Sequence, residues 1–302
     1  MYWQKDMAKI SHIFLNKNKK METGRNRSTG WQHAKLTGHI NESNVEKLFS
    51  DDNFKRNFCE RIGILPIEKV KVGGLYEKDV DCILGGKTKS KTDLQLELSN
   101  GSLINISIKK GLGGQVYLIG VDRFISGFEK QFNKKVPDDI NEFLHFYFYG
   151  NEKTSQILSD RKFIEGMPPT ILKYQKNHNR LVWEHLCRYN KDRADNLLNW
   201  FKYNISEITE FCFSRGLAIN ESEWAHYVWY INLLGEEDVD MLISIDEIKK
   251  SAANHADQIL PGSKNGGSTI QLPFGFVQWH QCQIQFHHSF SKISDIIRNE
   301  IE

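Results

Sequence analysis

Residues 91–110 contain the sequence pattern that most restricts how this chain folds. Two stretches of alternating apolar and polar residues, 92–98 and 102–109, flank a short polar segment at 99–101 that includes Asn-Gly. Alternation with a period of two predicts strands that bury one face, and a short Asn-Gly segment between them predicts an antiparallel hairpin. The chain is therefore expected to contain a sheet with one face against a core.

Burial of the apolar side chains selects the register of this hairpin. A two-residue turn would pair Asp93 with Ile108 and place a charge beside an apolar residue on one face. A three-residue loop with Gly101 in the left-handed conformation pairs Asp93 with Ser107 and brings Lys109 to the same face. Because a shift of one residue exchanges the two faces, this second register is predicted. Its apolar face pairs Leu96 with Ile104 and Leu94 with Ile106.

The polar face of the hairpin combines an acid with a lysine. Asp93 and Lys109 lie diagonally across from each other, within reach of a common ligand. An aspartate binds a hard divalent cation through oxygen, and the cation lowers the pKa of a bound water. A lysine beside it can position or deprotonate that water and offset charge on phosphorus. The pair therefore suits metal-assisted hydrolysis of a phosphodiester.

One carboxylate provides few ligands for Mg²⁺, so a second acid is expected. Ser107 occupies the place where that acid would be convenient. Glu42, at the head of a preceding predicted helix, and Glu97, further along the same strand face, are the two candidates. The alternative interpretation is an exposed polar hairpin face with an incidental Asp–Lys pair, because charged outer faces are ordinary in antiparallel sheets.

Composition excludes several other classes of protein. With 39% hydrophobic residues, 22 Gly and 6 Pro among 302 residues, the chain is neither disordered nor collagen-like. It has no apolar run long enough for a membrane span, and its first residues lack the layout of a secretory signal. The five cysteines are widely spaced without a CxxC pair, so neither disulfides nor a zinc site is expected. We expect a cytoplasmic protein.

Three zones divide the chain, and the lack of long linkers favours one domain over residues 1–302. The zone 38–125 mixes helix and strand, the zone 126–260 is predicted to be helical, and the zone 261–302 is predicted to return to strand and pack on the core. The predicted elements are a helix over 42–58 capped by Asn41 or Ser43, strands near 80–84, 92–98, 102–109 and 115–119, an apolar helix including Trp224, Tyr227, Val228 and 230–233, and strands over 268–290.

These residues resemble a known nuclease family. Asp93, followed fourteen residues later by Ser107-Ile108-Lys109, resembles the PD-(D/E)xK nuclease motif with serine at the second acidic position. The helix that opens at Gly38-His39-Ile40-Asn41-Glu42 resembles the family's helix that contributes a glutamate. The stretches 30–42 and 271–280 also read like sequences of type II restriction endonucleases. The motif match covers roughly residues 38–120.

The resemblance implies a fold and a function. The fold would be α/β, a restriction-endonuclease-like core with a mixed sheet flanked by helices, extended by a helical elaboration and a C-terminal β segment. The function would be Mg²⁺-dependent cleavage of double-stranded DNA at a specific sequence by a homodimer. Glu42 and Asp93 would be metal ligands, Lys109 the catalytic lysine, and Ser107 a support for the water or the metal shell. A cognate DNA methyltransferase is expected as a neighbouring gene and not as a bound subunit.

Two other functions remain open at this point. One is a structure- or damage-directed DNA repair nuclease of the same fold. The other is a noncatalytic DNA-binding module in which Ser107 marks a decayed site.

Basic and polar residues around these motifs are candidate DNA contacts. The net charge of +2 does not by itself indicate a nucleic acid, but basic residues cluster in 1–35 and 87–91. For any single run, a solvated lysine surface is the more common explanation. The candidate contacts to phosphates or base edges are Lys35, His39, Lys91, Lys110, Gln115, His287, His288 and Lys292.

Overall fold

The computed structural model describes residues 27–72, 79–167, 179–235 and 238–299, with side chains from Leu36 onward except that of Val72. The chain divides into two compact units, residues 1–37 and 38–302. All the strands described below belong to the second unit. No helix within the described ranges combines the length and the apolar character needed to cross a lipid bilayer.

In the described ranges, two helices come first, six strands follow them, and a run of helices separates these from the later strands. The strands are β1 (Ile67–Val72), β2 (Asp79–Asp81), β3 (Lys87–Lys89), β4 (Leu94–Leu98), β5 (Leu103–Lys109), β6 (Gly113–Gly120), β7 (Tyr227–Ile231), β8 (Asp240–Ser244), β9 (Thr269–Leu272), β10 (Gly275–His280) and β11 (Gln283–Ser289). The α-helices are α1 (Arg27–Leu48), α2 (Asp52–Ile62), α3 (Val121–Phe132), α4 (Asp138–Phe148), α5 (Glu152–Ser159), α6 (Arg161–Ile164), α7 (Trp183–Tyr189), α8 (Lys191–Tyr203), α9 (Ile205–Glu210), α10 (Ile245–Asn254) and α11 (Phe290–Arg298). A π-helix, Phe211–Arg215, continues α9.

The main sheet is mixed and has five strands in the order β1-β4-β5-β7-β8. β5 and β7 run parallel, and the other neighbours run antiparallel. On one face, Val45 of α1 and Phe58 of α2 pack with Trp229 of β7. On the other face, Val228 and Tyr230 belong to a larger core that also contains α3, α4 and α8. The chain thus has a mixed α/β fold in which a mixed sheet is flanked by helices, as predicted.

The β4–β5 hairpin has the predicted register. The Leu98 N–H donates to the Ser102 carbonyl at 2.8 Å, which closes a three-residue loop. Gly101 has a φ of +81°, in the left-handed region that glycine adopts without steric cost. The apolar residues that selected the register are buried, since Leu94, Leu96 and Ile106 have no exposed surface. The opposed pairs are Leu94 with Ile106, Gln95 with Asn105, and Leu96 with Ile104.

The predicted helix over 42–58 is wrong in its bounds. The chain forms two helices there, and Asp51 begins the second, because its carboxylate accepts the N–H groups of Asn53 and Phe54. Asn41 and Ser43, the predicted caps, lie inside α1. The Asn41 side chain bonds a distant strand instead of the helix terminus. The sequence does not show whether Asn41 is a helix cap, because an asparagine amide can bond either the helix terminus or a distant backbone group.

The apolar stretch predicted as a helix at 224–233 contains strand β7. This strand lies between β5 and β8, and its residues from Val228 to Ile231 are buried. A strand buried on both faces reads as a continuous apolar run, so its sequence lacks the alternation that would distinguish it from a buried helix. The zone 126–260 is therefore helical only in part, because β8 also lies within it.

The second sheet is antiparallel, with the order β6-β11-β10-β9. The strands predicted over 268–290 are confirmed, and β11 joins them to β6 of the first zone. Val277, Ile284 and Phe286 on one face are fully buried in the larger core. The C-terminal β segment therefore packs on the α/β core.

Candidate active site

Three predicted residues of the hairpin form a chain of hydrogen bonds. The Lys109 ammonium donates to Ser107 Oγ at 2.7 Å, and the Ser107 hydroxyl donates to Asp93 Oδ2 at 3.2 Å. The same Asp93 oxygen accepts the Ile108 N–H at 2.7 Å, which fixes the carboxylate against β5. Within the described part of the chain, Asp93 Oδ1 has no hydrogen-bond donor. One carboxylate oxygen is thus held by the protein while the other is available to a ligand.

Helix α1 brings Glu42 to this hairpin. The neighbouring Asn41 is fully buried, donates its amide to the Ile231 carbonyl at 2.8 Å and accepts the Leu233 N–H at 2.8 Å. These bonds tie α1 to the end of β7. Beside them, Glu42 Oε2 lies 3.2 Å from His39 Nδ1. His39, predicted as a DNA contact, therefore contacts the candidate metal ligand.

The pKa of Glu42 responds to the charged groups of the hairpin. Burial raises the pKa of Glu42, and the negative charge of Asp93 raises this pKa further, while the contact with His39 and the charge of Lys109 lower it. The second carboxylate is therefore near the first, although they come from α1 and from the start of β4. Glu97, the other candidate, lies at the opposite end of β4 from Asp93, where its ion pairs reach Lys69 at 3.4 Å and Lys71 at 3.7 Å.

Glu42 and Asp93 offer carboxylate oxygens, which are donor atoms that suit Mg²⁺. Two carboxylates repel each other in a half-buried site, and a divalent cation between them would remove that repulsion. The Ile108 carbonyl, 3.4 Å from the Lys109 ammonium, is a further oxygen on the same side. No group of three or more His, Cys, Asp and Glu side chains suited to a metal occurs within the described ranges. Mg²⁺ is commonly bound through only one or two carboxylates with water and substrate phosphates.

Tyr230 and His288 form a buried pair behind Lys109. Tyr230 is the parallel neighbour of Lys109 in the main sheet, and its hydroxyl lies 3.0 Å from His288 Nδ1. Burial, and then the charge of Lys109, lower the pKa of His288 to about 3, while burial raises the pKa of Tyr230. The Tyr230 hydroxyl therefore donates to a neutral imidazole. His288 faces the core, which differs from the phosphate or base contact predicted for it.

Lys91 also points inward. Its ammonium donates to the Val116 carbonyl at 3.0 Å and lies 3.5 Å from the centre of the Tyr117 ring. Burial lowers the pKa of Lys91 to about 7. Although the residue as a whole is partly exposed, its charged end is enclosed, so this conformation gives no contact to a phosphate at the surface. Lys91 instead ties the segment before Asp93 to the second sheet.

The other predicted DNA contacts with described side chains lie in different parts of the fold. Lys292 is held by three acceptors, including the Gly275 carbonyl at 3.1 Å, and burial lowers its pKa. His287 and Gln115 lie on the second sheet, and Gln115 is exposed. Lys110 is half-buried directly after β5. The side chain of Lys35 lies outside the described residues.

Sequence reasoning did not identify Asn41 or Tyr230 as part of this site. The signal for Tyr230 was its position in the apolar run that forms β7, next to the motif strand. Only the parallel pairing of β5 and β7 places it beside Lys109. The sequence places the Asn41 amide one residue before Glu42. The tertiary fold sets which distant groups this amide bonds.

Comparison with solved structures shows a similarity to a restriction endonuclease. The chain is similar to the restriction endonuclease MspI in a crystal structure with its cognate DNA, with a TM-score of 0.43 and 12% sequence identity, over 84% of this chain and 87% of that chain. No protein-family model matches the chain, and no sequence among curated proteins matches it. What this chain does is therefore inferred from its own site.

Proposed function

We propose that this protein is a type II restriction endonuclease, a Mg²⁺-dependent enzyme that hydrolyses phosphodiester bonds at a specific sequence in double-stranded DNA. The observation that carries the proposal is the hydrogen-bond chain from Lys109 through Ser107 to Asp93, with Glu42 near enough for the charges of Asp93 and Lys109 to shift its pKa. The resemblance to the PD-(D/E)xK motif supports it.

Each group has a role in this proposal. Glu42 and Asp93 would hold Mg²⁺, which when bound lowers the pKa of a coordinated water and withdraws charge from the phosphate. Lys109 positions the attacking water and offsets the negative charge that develops on the phosphate oxygens. Ser107 aligns Lys109 with Asp93, because its hydroxyl accepts from one and donates to the other. A neutral serine can make both bonds at once.

The decisive experiment is plasmid cleavage by the full chain in the presence of Mg²⁺. We expect discrete fragments that disappear with EDTA. Lys109→Met should reduce the rate roughly 100- to 1,000-fold, since one charged group that stabilises the transition state is lost. Lys135→Met, at an exposed lysine paired with Asp138, is the matched control and should cleave at the normal rate. Uniform degradation, or no cleavage with any divalent metal, would contradict the proposal.

Other outcomes identify the alternative functions. Cleavage of junctions or flaps with plasmid left intact would indicate a repair nuclease. DNA binding that is insensitive to Mg²⁺ and unchanged by Asp93→Asn, without cleavage, would indicate a noncatalytic module. The proposal also includes a homodimer on DNA, which sedimentation of the protein with a cleaved duplex tests. A methyltransferase gene next to this one would support a restriction system.

A further inference from the structure

The outer face of the second sheet is rich in amides and free of acids. On the strands β6, β9, β10 and β11 there is no Asp or Glu, although 38 of the 302 residues are acidic. One face is apolar and buried, and the other carries mainly polar side chains, together with Leu118 and Phe276. The polar face presents Gln115, Thr269, Gln271, Gln278, His280, Gln283, Gln285 and His287. A surface without carboxylates suits a polyanionic partner.

Three glutamines form a row of hydrogen bonds across this face. The Gln278 amide donates to Gln285 Oε1 at 2.8 Å, and the Gln285 amide donates to Gln115 Oε1 at 2.8 Å. The Gln278 nitrogen also lies 3.3 Å from His287 Nε2, and the His287 ring stacks on Phe276 with centroids 4.4 Å apart. Each amide in the row is therefore oriented by its neighbour before any ligand binds.

The two ends of the row carry unused hydrogen-bonding groups. Among the described residues, Gln278 Oε1 has no donor and the Gln115 nitrogen has no acceptor. One end thus presents an acceptor and the other presents donors. The row crosses three strands, so its ends are about 10 Å apart, which fits within the major groove of duplex DNA at about 12 Å wide.

The row is linked to the candidate active site along the chain. Gln115 follows Lys109 by six residues along the chain, through the turn into β6. His287 lies opposite Gln115 on β11. The next residue, His288, points to the other face of the sheet, toward the core, where the charge of Lys109 contributes to lowering its pKa. The turn at residues 110–112 therefore connects the strand that carries Lys109 to the strand that carries Gln115.

We propose that the glutamine row reads the edges of base pairs in double-stranded DNA and contributes to the sequence specificity of cleavage. This inference rests on the proposed function. The acceptor of Gln278 would select a base with an exposed amino group, adenine N6 or cytosine N4. The donors of Gln115 would select a base with an exposed acceptor, such as guanine O6 and N7.

The test is cleavage of a random-sequence duplex library by the full chain with Mg²⁺, followed by sequencing of the cut ends. Gln278→Met and Gln115→Met each remove one end of the row. Each variant should lose discrimination at one base-pair position by roughly 5- to 150-fold, the effect of one side chain–base contact. Gln156→Met, at an exposed glutamine of α5, is the control and should keep the normal preference. Gln115 is exposed, so its variant is expected to fold.

The outcomes separate this inference from the proposed function. If the normal protein cleaves at a preferred sequence and both variants keep that preference, the row does not read bases, while the nuclease proposal stands. Cleavage by the normal protein without any preference would contradict the proposed site-specific nuclease, and the inference would be overturned with it. If no DNA is cleaved, the nuclease proposal fails, and the same library is used in a binding selection. Enrichment of a sequence that depends on Gln278 or Gln115 would then support base reading, and no enrichment would overturn it.

Discussion

The buried pair of His288 and Tyr230 predicts how the stability of this protein depends on pH. His288 is 5% exposed and accepts the Tyr230 hydroxyl through Nδ1. Protonation would remove that acceptor and place a charge near the Lys109 ammonium. His288→Asn removes the titrating group and retains an acceptor close to the position of Nδ1. The variant therefore isolates the contribution of protonation from that of the hydrogen bond.

The size of this pH effect follows from the difference between the pKa of His288 in the folded protein and its pKa in the unfolded chain. The pKa of His288 is about 3 in the folded protein and 6.5 in the unfolded chain. A lowered pKa favours the neutral form, so this contribution to stability is complete above the unfolded pKa and is lost as the pH falls toward the folded pKa. Between pH 8 and pH 5 the loss is about 2 kcal/mol. His185, whose pKa burial lowers to about 4, adds to the acid sensitivity of the normal protein.

Urea unfolding monitored by tryptophan fluorescence measures this difference. The free energy of unfolding of His288→Asn should fall about 2 kcal/mol less than that of the normal protein between pH 8 and pH 5. His280→Asn, on the half-exposed outer face of the same sheet, is the control and should follow the normal protein. If the normal protein and His288→Asn lose stability in parallel, the imidazole is not held neutral and the reasoning is refuted.

Three further substitutions test the fold and the site. Asn41→Leu leaves the buried Ile231 carbonyl without its donor and should cost about 1–3 kcal/mol in urea unfolding; a cost equal to that of Ser43→Ala would contradict this role. Gly101→Ala should cost roughly 1–2 kcal/mol because the backbone has a φ of +81°, and a neutral effect would argue against the three-residue loop. Ser107→Asp adds a carboxylate next to Asp93, so the melting temperature should fall without metal and recover with excess Mg²⁺; a melting temperature unaffected by Mg²⁺ would count against a cation site.

The sequence alone determined the hairpin that carries the candidate site. Its two strands alternate with a period of two, and only one register buries Leu94, Leu96 and Ile106 together. That local constraint predicted which face holds Asp93 and Lys109 before any tertiary contact was known. The second sheet was predictable in part for the same reason, because its strands bury only one face and keep the alternation.

The tertiary structure decided which elements lie beside this hairpin. Strand β7 is buried on both faces, so its sequence has no alternation and it was predicted as a helix. Its parallel pairing with β5 puts Tyr230 beside Lys109. Whether Glu42 or Glu97 lies near Asp93 depended on how α1 docks through Asn41. Contacts between residues far apart in sequence are set by the packing of whole elements, and the local periodicity of the sequence does not specify that packing.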